Sequence, residues 1–438
     1  MNINAAKEYI EKIGTYGSVL GLDSIRELLN RMGNPQDQLS FVHIAGTNGK
    51  GSVLAYVSTI LEEADYRTGR YLSPVISEYR EKIQVNGRMI SKKALCEGLE
   101  LIRQHAEEME AQGWQPPTLF ETETALAFWY FVKKRCDIVV LEVGMGGAED
   151  ATNVIKSTLA AVLTSISYDH MGVLGNTLAE IAEKKAGIIK NGAAVVSAAQ
   201  SSDVLKVIQK NCQEHQNRLW LTEKPEKVKY GLLKQSFTYH GSRYTISLAG
   251  SWQPENACVA LEVIGALRSQ GISVSEDAVK SGLEKTEWIG RFTVLKKKPL
   301  FIMDGAHNEN AAERLRDSLK LYFPGQKFIF IMGVLRDKEY DKMLAVMMPL
   351  AQYVITVTPP ENPRALAAYD LAVEVKKYHE FVTAVDSLEE AVEMAGLLAG
   401  KEYVTIAFGS LSYLGRLQRI VTDSKLRGQK DKGNRRKG

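Results

Sequence analysis

Residues 41–52 read F-V-H-I-A-G-T-N-G-K-G-S (Phe41–Ser52). Phe41–Ala45 is an apolar run of strand length, Gly46–Ser52 is a glycine-rich turn with a lysine and a serine, and a helical pattern runs from Gly51 to about Ala64. Strand, glycine-rich turn and helix in that order form the context that a phosphate-binding loop requires. Glycines let backbone N–H groups approach phosphate oxygens, and the helix N-terminus adds partial positive charge. In that reading Gly46, Thr47, Asn48, Gly49 and Gly51 cradle the phosphates, Lys50 reaches the β- and γ-phosphates, and the Ser52 hydroxyl ligates Mg²⁺. The spacing is shorter than G-x-x-x-x-G-K-[ST], with Gly51 inserted between lysine and serine. A purely structural strand-to-helix turn is the alternative.

Working outward, strand-like and helix-like stretches alternate. Arg67–Leu72 reads as a strand, and Asn86-Gly87 as a hairpin turn between Lys82–Val85 and Met89–Ile90. Helices are expected at Lys92–Ala111 and Glu121–Lys134. D-I-V-V-L-E-V (Asp137–Val143) is a continuous apolar run, as in a strand covered on both faces. Leu159–Thr164 and Ala193–Ala198 look similar, and Thr177–Glu180 is a capping box between them. The alternation predicts a P-loop ATPase-like, doubly wound parallel α/β sheet. Residues 218–248 are polar and aromatic and read as a small β appendage, followed by helices near Pro254–Leu267 and Ser275–Glu284. Lys296–Pro299 breaks the pattern, as a domain boundary or an ordinary turn. A fresh β/α series follows, with strands at Leu300–Met303, Phe328–Met332, Tyr353–Val357 and Tyr403–Phe408, and predicts a smaller Rossmann-like C-terminal α/β domain. The expected division is 1–295, 296–424 and a disordered basic tail, 425–438.

The 438 residues, 45% hydrophobic and 24% charged, are those of an ordinary globular protein and exclude a disordered or collagen-like chain. The net charge of +3 is misleading, because residues 425–438 hold seven basic residues and one acidic one; the remaining 424 carry −3. That argues against a broad nucleic-acid-binding face. The four cysteines are scattered without a C-x-x-C pair, which fits a reducing compartment. Without an apolar leader or an eighteen-residue apolar run, the protein is expected in the cytoplasm, away from membranes.

Three further stretches carry chemistry. Glu142, at the end of the apolar strand, falls where ligands bind in parallel sheets, and suits Mg²⁺ opposite the phosphate loop. Asp169-His170 follows another strand, with His170 a metal or phosphate contact or a solvent-facing loop histidine. Met303-Asp304-Gly305-Ala306-His307-Asn308 ends the first strand of the second domain, where Asp304 and His307 face a cleft and Asn308 suits a helix N-cap. No N-K-x-D signature follows, so adenine is the expected base.

At this point the chain resembles the folylpolyglutamate synthase / dihydrofolate synthase family of the Mur-ligase superfamily. The resemblance runs from about Leu22 to Tyr413. It rests on ordered motifs: H-I-A-G-T-N-G-K-G-S (His43–Ser52), Y-L-S-P (Tyr71–Pro74), L-E-V-G-M-G-G-A-E-D-A-T-N (Leu141–Asn153), D-H-M-G-V-L-G-N-T (Asp169–Thr177), E-K-K-A-G-I-I-K (Glu183–Lys190), W-I-G-R (Trp288–Arg291), D-G-A-H-N (Asp304–Asn308), N-P-R-A-L (Asn362–Leu366) and G-S-L-S-Y-L (Gly409–Leu414). The resemblance implies an ATP-dependent amide ligase that adds L-glutamate to the γ-carboxylate of a folate through an acyl phosphate. It implies Ser52, Ser73 and Glu142 as ligands of one Mg²⁺, and Glu142 with His170 at a second. Lys185 matches a lysine carbamylated in the superfamily, which needs a depressed pKa; a surface helix charge is the local alternative. Arg291, Asp304 and His307 match residues that close on ATP, Asn256 one near the adenine, and Phe120 and Asp150 the pterin-binding region. The family expectation is a monomer. For the incoming glutamate, Arg364 and Ser410 are chosen because cationic and hydroxyl groups suit a carboxylate.

The chain departs from the family at Gly147-Ala148-Glu149-Asp150, where many relatives read G-G-R-x-D. Some mainly polyglutamylating members also lack that arginine, so folylpolyglutamate synthase is favoured over the bifunctional form. Trp252 stands where histidine is common, and either stacks beside the nucleotide or packs in the core. Two other readings are a Mur ligase acting on a UDP-sugar peptide and a non-catalytic nucleotide-dependent switch. Y-L-S-P and D-G-A-H-N speak against the first, and an intact Ser73, Glu142 and His170 set against the second.

Overall fold

The computed structural model describes residues 1–17, 21–169, 171–400 and 402–423, so His170 and the tail 425–438 lie outside the described residues. Phe41–Ala45 forms β1, with all five residues buried. It is followed by β2 (Thr68–Tyr71), β3 (Ile83–Val85), β4 (Arg88–Met89), β5 (Ile138–Glu142), β6 (Ala160–Leu163), β7 (Ala194–Ser197) and β8 (Leu219–Leu221). The sheet order is β4-β3-β2-β5-β1-β6-β7-β8. The six strands from β2 to β8 in that order run parallel. β3 and β4 make an antiparallel edge hairpin through Asn86 and Gly87, both at positive φ (45° and 67°), as the Asn-Gly signal predicts.

Helices cover both faces, which is why the strands read as continuous apolar runs. Val42, Ile44, Val140 and Val162 pack on helices Lys50–Glu63, Gln253–Ser269 and Glu276–Lys285. Their neighbours Phe41, Val139 and Leu141 point the other way, onto Lys92–Ala111 and Leu119–Lys133. Two N-terminal helices that the sequence reading left out, Ile3–Gly14 and Asp23–Arg31, complete that layer, the second through the fully buried Ile25, Leu28 and Leu29.

The appendage is smaller than expected. Leu219–Leu221 joins the main sheet as β8, parallel to β7. Only β9 (Glu226–Lys229), β10 (Gln235–Tyr239) and β11 (Ser242–Ile246) form a separate antiparallel sheet, anchored by Phe237, Tyr239, Tyr244 and Ile246 in the first core.

The second sheet contains β12 (Thr293–Lys297), β13 (Leu300–Met303), β14 (Phe328–Met332), β15 (Ala351–Thr356), β16 (Val382–Ala384) and β17 (Val404–Phe408), ordered β12-β13-β17-β14-β15-β16. All pairs are parallel except β12–β13. The break at Lys296–Pro299 is therefore the ordinary turn: it lies in the β12–β13 hairpin, inside this sheet, and the chain crosses between sheets upstream, in residues 286–292. No helix among the described residues is long and apolar enough to cross a membrane.

Candidate active site

A solvent-open cleft of about 1010 Å³ lies at the carboxyl ends of β1, β2, β5 and β13. Its floor is the loop Gly46–Ser52, and the helix begins at Lys50 with Gly49 as N-cap. Gly46 and Gly49 have φ of 148° and 96°, and a Cβ on Gly46 would fall 1.9 Å from Thr164 Oγ1, so both positions demand glycine. The Thr47 and Asn48 N–H groups donate to Ser165 O at 2.9 and 3.2 Å, fixing the loop on the segment after β6. The first-turn N–H groups of the helix have no preceding carbonyl to meet, and they face the cleft as an anion site. Lys50 Nζ folds back onto Gly46 O at 3.1 Å and Thr47 O at 3.3 Å.

Ser73, Glu142 and Lys185 stand around this loop. Glu142 ends β5 and is 6% exposed. Burial raises its pKa to about 7, although Lys50, Arg291 and the Ser73 N–H oppose the shift. Ser52 is 1% exposed, and its Oγ accepts from Gln253 Nε2 at 3.2 Å. Lys185 is not a surface charge: it is 4% exposed, and Nζ donates to Gly46 O at 3.0 Å. Burial, and then Lys50, push its pKa down to about 7.

The second sheet closes the cleft from the other side. Asp304, at the end of β13, accepts from the Phe292 and Ala306 N–H groups, both at 2.8 Å, and is held above the usual carboxylate range by burial against the pull of Arg291. His307 directs Nδ1 to Gly305 O at 2.7 Å, and burial lowers its pKa to about 4, so the ring is neutral at pH 7. Asn308 caps helix Glu309–Tyr322 through Ala311 N at 2.9 Å. Arg291 lies against Gly305, where a Cβ would come within 2.2 Å of its guanidinium.

The remaining sequence-predicted residues sit elsewhere. Asn256 lies beneath the loop, where a Cβ on Gly49 would come within 2.7 Å of its Oδ1. Phe120 packs beside Tyr71 at 6.0 Å and fills the space over Gly144. Asp150 is 7% exposed and turned inward, accepting from Met145 N at 2.8 Å and Thr152 N at 3.0 Å; it holds the turn that walls the cleft rather than lining it. Arg364 pairs with Asp337 at 3.0 Å with its side chain 60% exposed, and Ser410 caps the last helix through Ser412 N at 3.3 Å. Neither lines the cleft, although Leu411 does. Trp252 packs in the core of the second sheet, meeting Phe292 edge-on at 6.4 Å, and also lines the cleft wall.

Sequence reasoning missed Arg314 and Asn310, one turn apart on helix Glu309–Tyr322. Arg314 lines the cleft and donates to Ser165 Oγ at 3.1 Å; Asn310 Oδ1 accepts from Asn48 Nδ2 at 2.9 Å. With Lys338–Asp169 at 3.2 Å, from the loop after β14, they tie the second sheet's side of the cleft to the phosphate loop and to the segment after β6. The available signal was the helical spacing from His307, whose strand end already pointed at the cleft. Beside the cleft, a second hollow of about 1040 Å³ shares Ser73, Glu142 and Arg291 with it and is walled by Trp288, Ile289 and Met89.

Among the described residues no three carboxylate, imidazole or thiol groups converge on one point. The chemistry assembled is a phosphate loop with cations from both sheets, two buried carboxylates, Glu142 and Asp304, and two serine hydroxyls. Residues 44–264 match the Mur ligase middle domain and 290–411 the glutamate ligase domain of Mur ligases. The chain is 34% identical to the dihydrofolate synthase/folylpolyglutamate synthase of Bacillus subtilis, over 84% of this chain and 87% of that one. It is 31% identical to the folylpolyglutamate synthase of Lacticaseibacillus casei, over 93% and 98%. The crystal structure of Mycobacterium tuberculosis folylpolyglutamate synthase complexed with ADP and AMPPCP superposes with a TM-score of 0.88 at 28% identity, over 96% and 99% of the two chains. A single phosphate-loop cleft between two Mur ligase domains, with relatives that match nearly end to end, places this chain in the folylpolyglutamate synthase / dihydrofolate synthase family of ATP-dependent ligases.

Proposed function

We propose that the protein is a folylpolyglutamate synthase that joins L-glutamate to the γ-carboxylate of a reduced folate at the expense of ATP. The observation that carries this reading is the cleft itself: the phosphate loop faces Arg291, Asp304 and His307 from the second sheet, and an apolar hollow opens beside Glu142 and Ser73. ATP lies along Gly46–Ser52 with Lys50 on its terminal phosphates. The folate's γ-carboxylate enters from the hollow walled by Trp288 and attacks the γ-phosphorus, giving an acyl phosphate and ADP. The glutamate α-amine then attacks the acyl carbon, and phosphate leaves. The protein supplies little covalent help; Lys50, Arg291 and Arg314 neutralise charge, and closure of the two sheets over the bound substrates would exclude water from an intermediate that hydrolyses readily.

The oxygen donors Glu142, Ser52 and Ser73 fit Mg²⁺, which binds through one or two carboxylates plus substrate phosphates. Bound there, Mg²⁺ would offset phosphate charge, and Glu142 would be held ionised. His170, the second expected ligand, lies outside the described residues. Lys185 suits carbamylation because burial makes its amine half neutral near pH 7.

The test is ADP release with Mg²⁺, ATP and L-glutamate, offering tetrahydrofolate and dihydropteroate separately, with mass spectrometry of the product. Glutamylated tetrahydrofolate is expected. Turnover on neither acceptor refutes the reading. The bifunctional reading, favoured by the name of the B. subtilis relative, requires turnover on dihydropteroate as well. Ala148, in place of the arginine many relatives carry, supports the single activity.

A further inference from the structure

Away from the cleft, helix Asp23–Arg31, the turn Ala151–Val154 and Lys190 flank another solvent-open hollow, of about 710 Å³. Three cations line it, Arg26, Lys156 and Lys190, together with the amides of Asn34, Gln36 and Asn153. None of the described residues lining it is a carboxylate. Lys156 is matched by Asp37 at 2.6 Å, whereas Arg26 has only the exposed Asp23 at 3.8 Å. Lys190 makes a long contact to Asn153 O at 3.4 Å, and burial and Arg26 together lower its pKa. Arg26, its side chain 62% exposed, and the half-buried Lys190 thus bring two like charges to one concave space whose described lining holds no carboxylate.

The amides add a second observation. Asn153 is 6% exposed, and its Nδ2 donates to Ala148 O and Gly187 O, both at 3.0 Å, which fixes the orientation of the group. Its Oδ1 has no partner, and neither has Oε1 of Gln36, also 6% exposed. Buried acceptors without donors are uncommon and call for a ligand or ordered water.

We propose that this hollow is a second oxyanion site, separate from the phosphate loop, that takes a carboxylate or phosphate group carrying its own N–H or O–H donor. The oxyanion sits between Arg26 and Lys190, beside the amide side chains of Asn34, Gln36 and Asn153. Zwitterionic L-glutamate and inorganic phosphate share this chemistry. Through Ala148 the site also braces the turn Gly144–Asp150, whose Gly144–Gly146 end walls the cleft. The inference stands apart from the ligase reading, since its test contains neither ATP nor folate.

The test is calorimetric titration of the full chain with sodium phosphate and with L-glutamate, each against sodium chloride at equal ionic strength. Binding of at least one is expected to persist in Lys50→Ala, where the phosphate loop has lost its cation. The same binding is expected to weaken at least ~10-fold in Arg26→Gln/Lys190→Gln, the scale of a lost charge-assisted contact. Arg26→Gln alone, at an exposed position, is expected to weaken it partially and keeps the test open if the double variant fails to fold. Phosphate binding alone assigns an inorganic source and glutamate binding alone a carboxylate source. Binding lost in Lys50→Ala, binding unchanged in the Arg26 and Lys190 variants, or no binding at all overturns the proposal.

Discussion

Replacing Lys185 by methionine should stabilise the ligand-free protein, and by an amount that falls as pH rises. The lysine is 4% exposed, and burial followed by Lys50 takes its pKa from 10.5 to about 7. That displacement corresponds to about 5 kcal/mol of preference for the neutral amine in the folded state. Below pH 7 the group is protonated both folded and unfolded, so the folded protein bears the whole penalty. Between pH 7 and 10.5 the folded state releases its proton first and the penalty fades; above 10.5 it is gone. Lys185→Met removes the charge and keeps most of the volume, while Gly46 O retains Lys50 as a donor. The expected gain is about 5 kcal/mol at pH 6 and about 2 kcal/mol at pH 9. Denaturant unfolding of both proteins at the two pH values, in bicarbonate-free buffer, reads the difference from the midpoints at a common slope. A difference independent of pH, or a destabilised variant at pH 6, would refute the claim that burial strains this lysine.

Glu142 should behave oppositely: its pKa is raised to about 7, so its penalty is absent below pH 4.5, builds as pH rises to 7 and persists above, and Glu142→Gln should stabilise the ligand-free protein only above pH 4.5, up to about 3 kcal/mol by denaturant titration at pH 8. Lys50→Ala should lower ADP release by 10²-fold or more while leaving the unfolding midpoint nearly unchanged, since only loop carbonyls lose a donor. Gly46→Ala should abolish nucleotide binding in a fluorescent-ATP titration, because the new Cβ lies 1.9 Å from Thr164 Oγ1 at a φ of 148°. Arg314→Ala should raise the KM for ATP by about tenfold with a stability change under ~1 kcal/mol, measured by steady-state kinetics and thermal unfolding.

Strand positions in this chain were legible wherever burial is two-sided. F-V-H-I-A and I-V-V-L-E are unbroken apolar runs because helices cover both of their faces, and the phosphate loop followed from the glycines between β1 and its helix. Leu219–Leu221 was hidden because an edge strand is half-exposed, and only its pairing with β7 separates it from the appendage next to it. Lys185 looked like any basic residue in the last turn of a helix, where a lysine complements the dipole; its burial depends on where the phosphate loop lies, which local pattern does not carry. Arg364 and Ser410 were chosen by chemical type alone, and type does not say where a side chain points. Ser410 turned out to be a cap and Arg364 a surface ion pair.

The charges of the cleft make sense only together with what they bind. Glu142 and Asp304 are pushed up and Lys185 and His307 are pushed down, each chiefly by burial, so the ligand-free cleft disfavours the charged form of each of these four groups. Such strain is costly in a structure whose whole stability is of order 10 kcal/mol. Lys50 and Arg291 partly offset it for Glu142, and Arg291 for Asp304, but Lys50 makes Lys185 worse. A polyphosphate laid along Gly46–Ser52 would favour protonated lysine, and a divalent cation beside Glu142 would favour the carboxylate. Each ligand therefore relieves a penalty that the protein carries alone, and the two together relieve more than either. Adding ATP or Mg²⁺ singly should raise the melting temperature less than adding both, by more than the sum of the separate shifts. Strictly additive shifts would mean that the cleft charges are not strained in the way their burial implies.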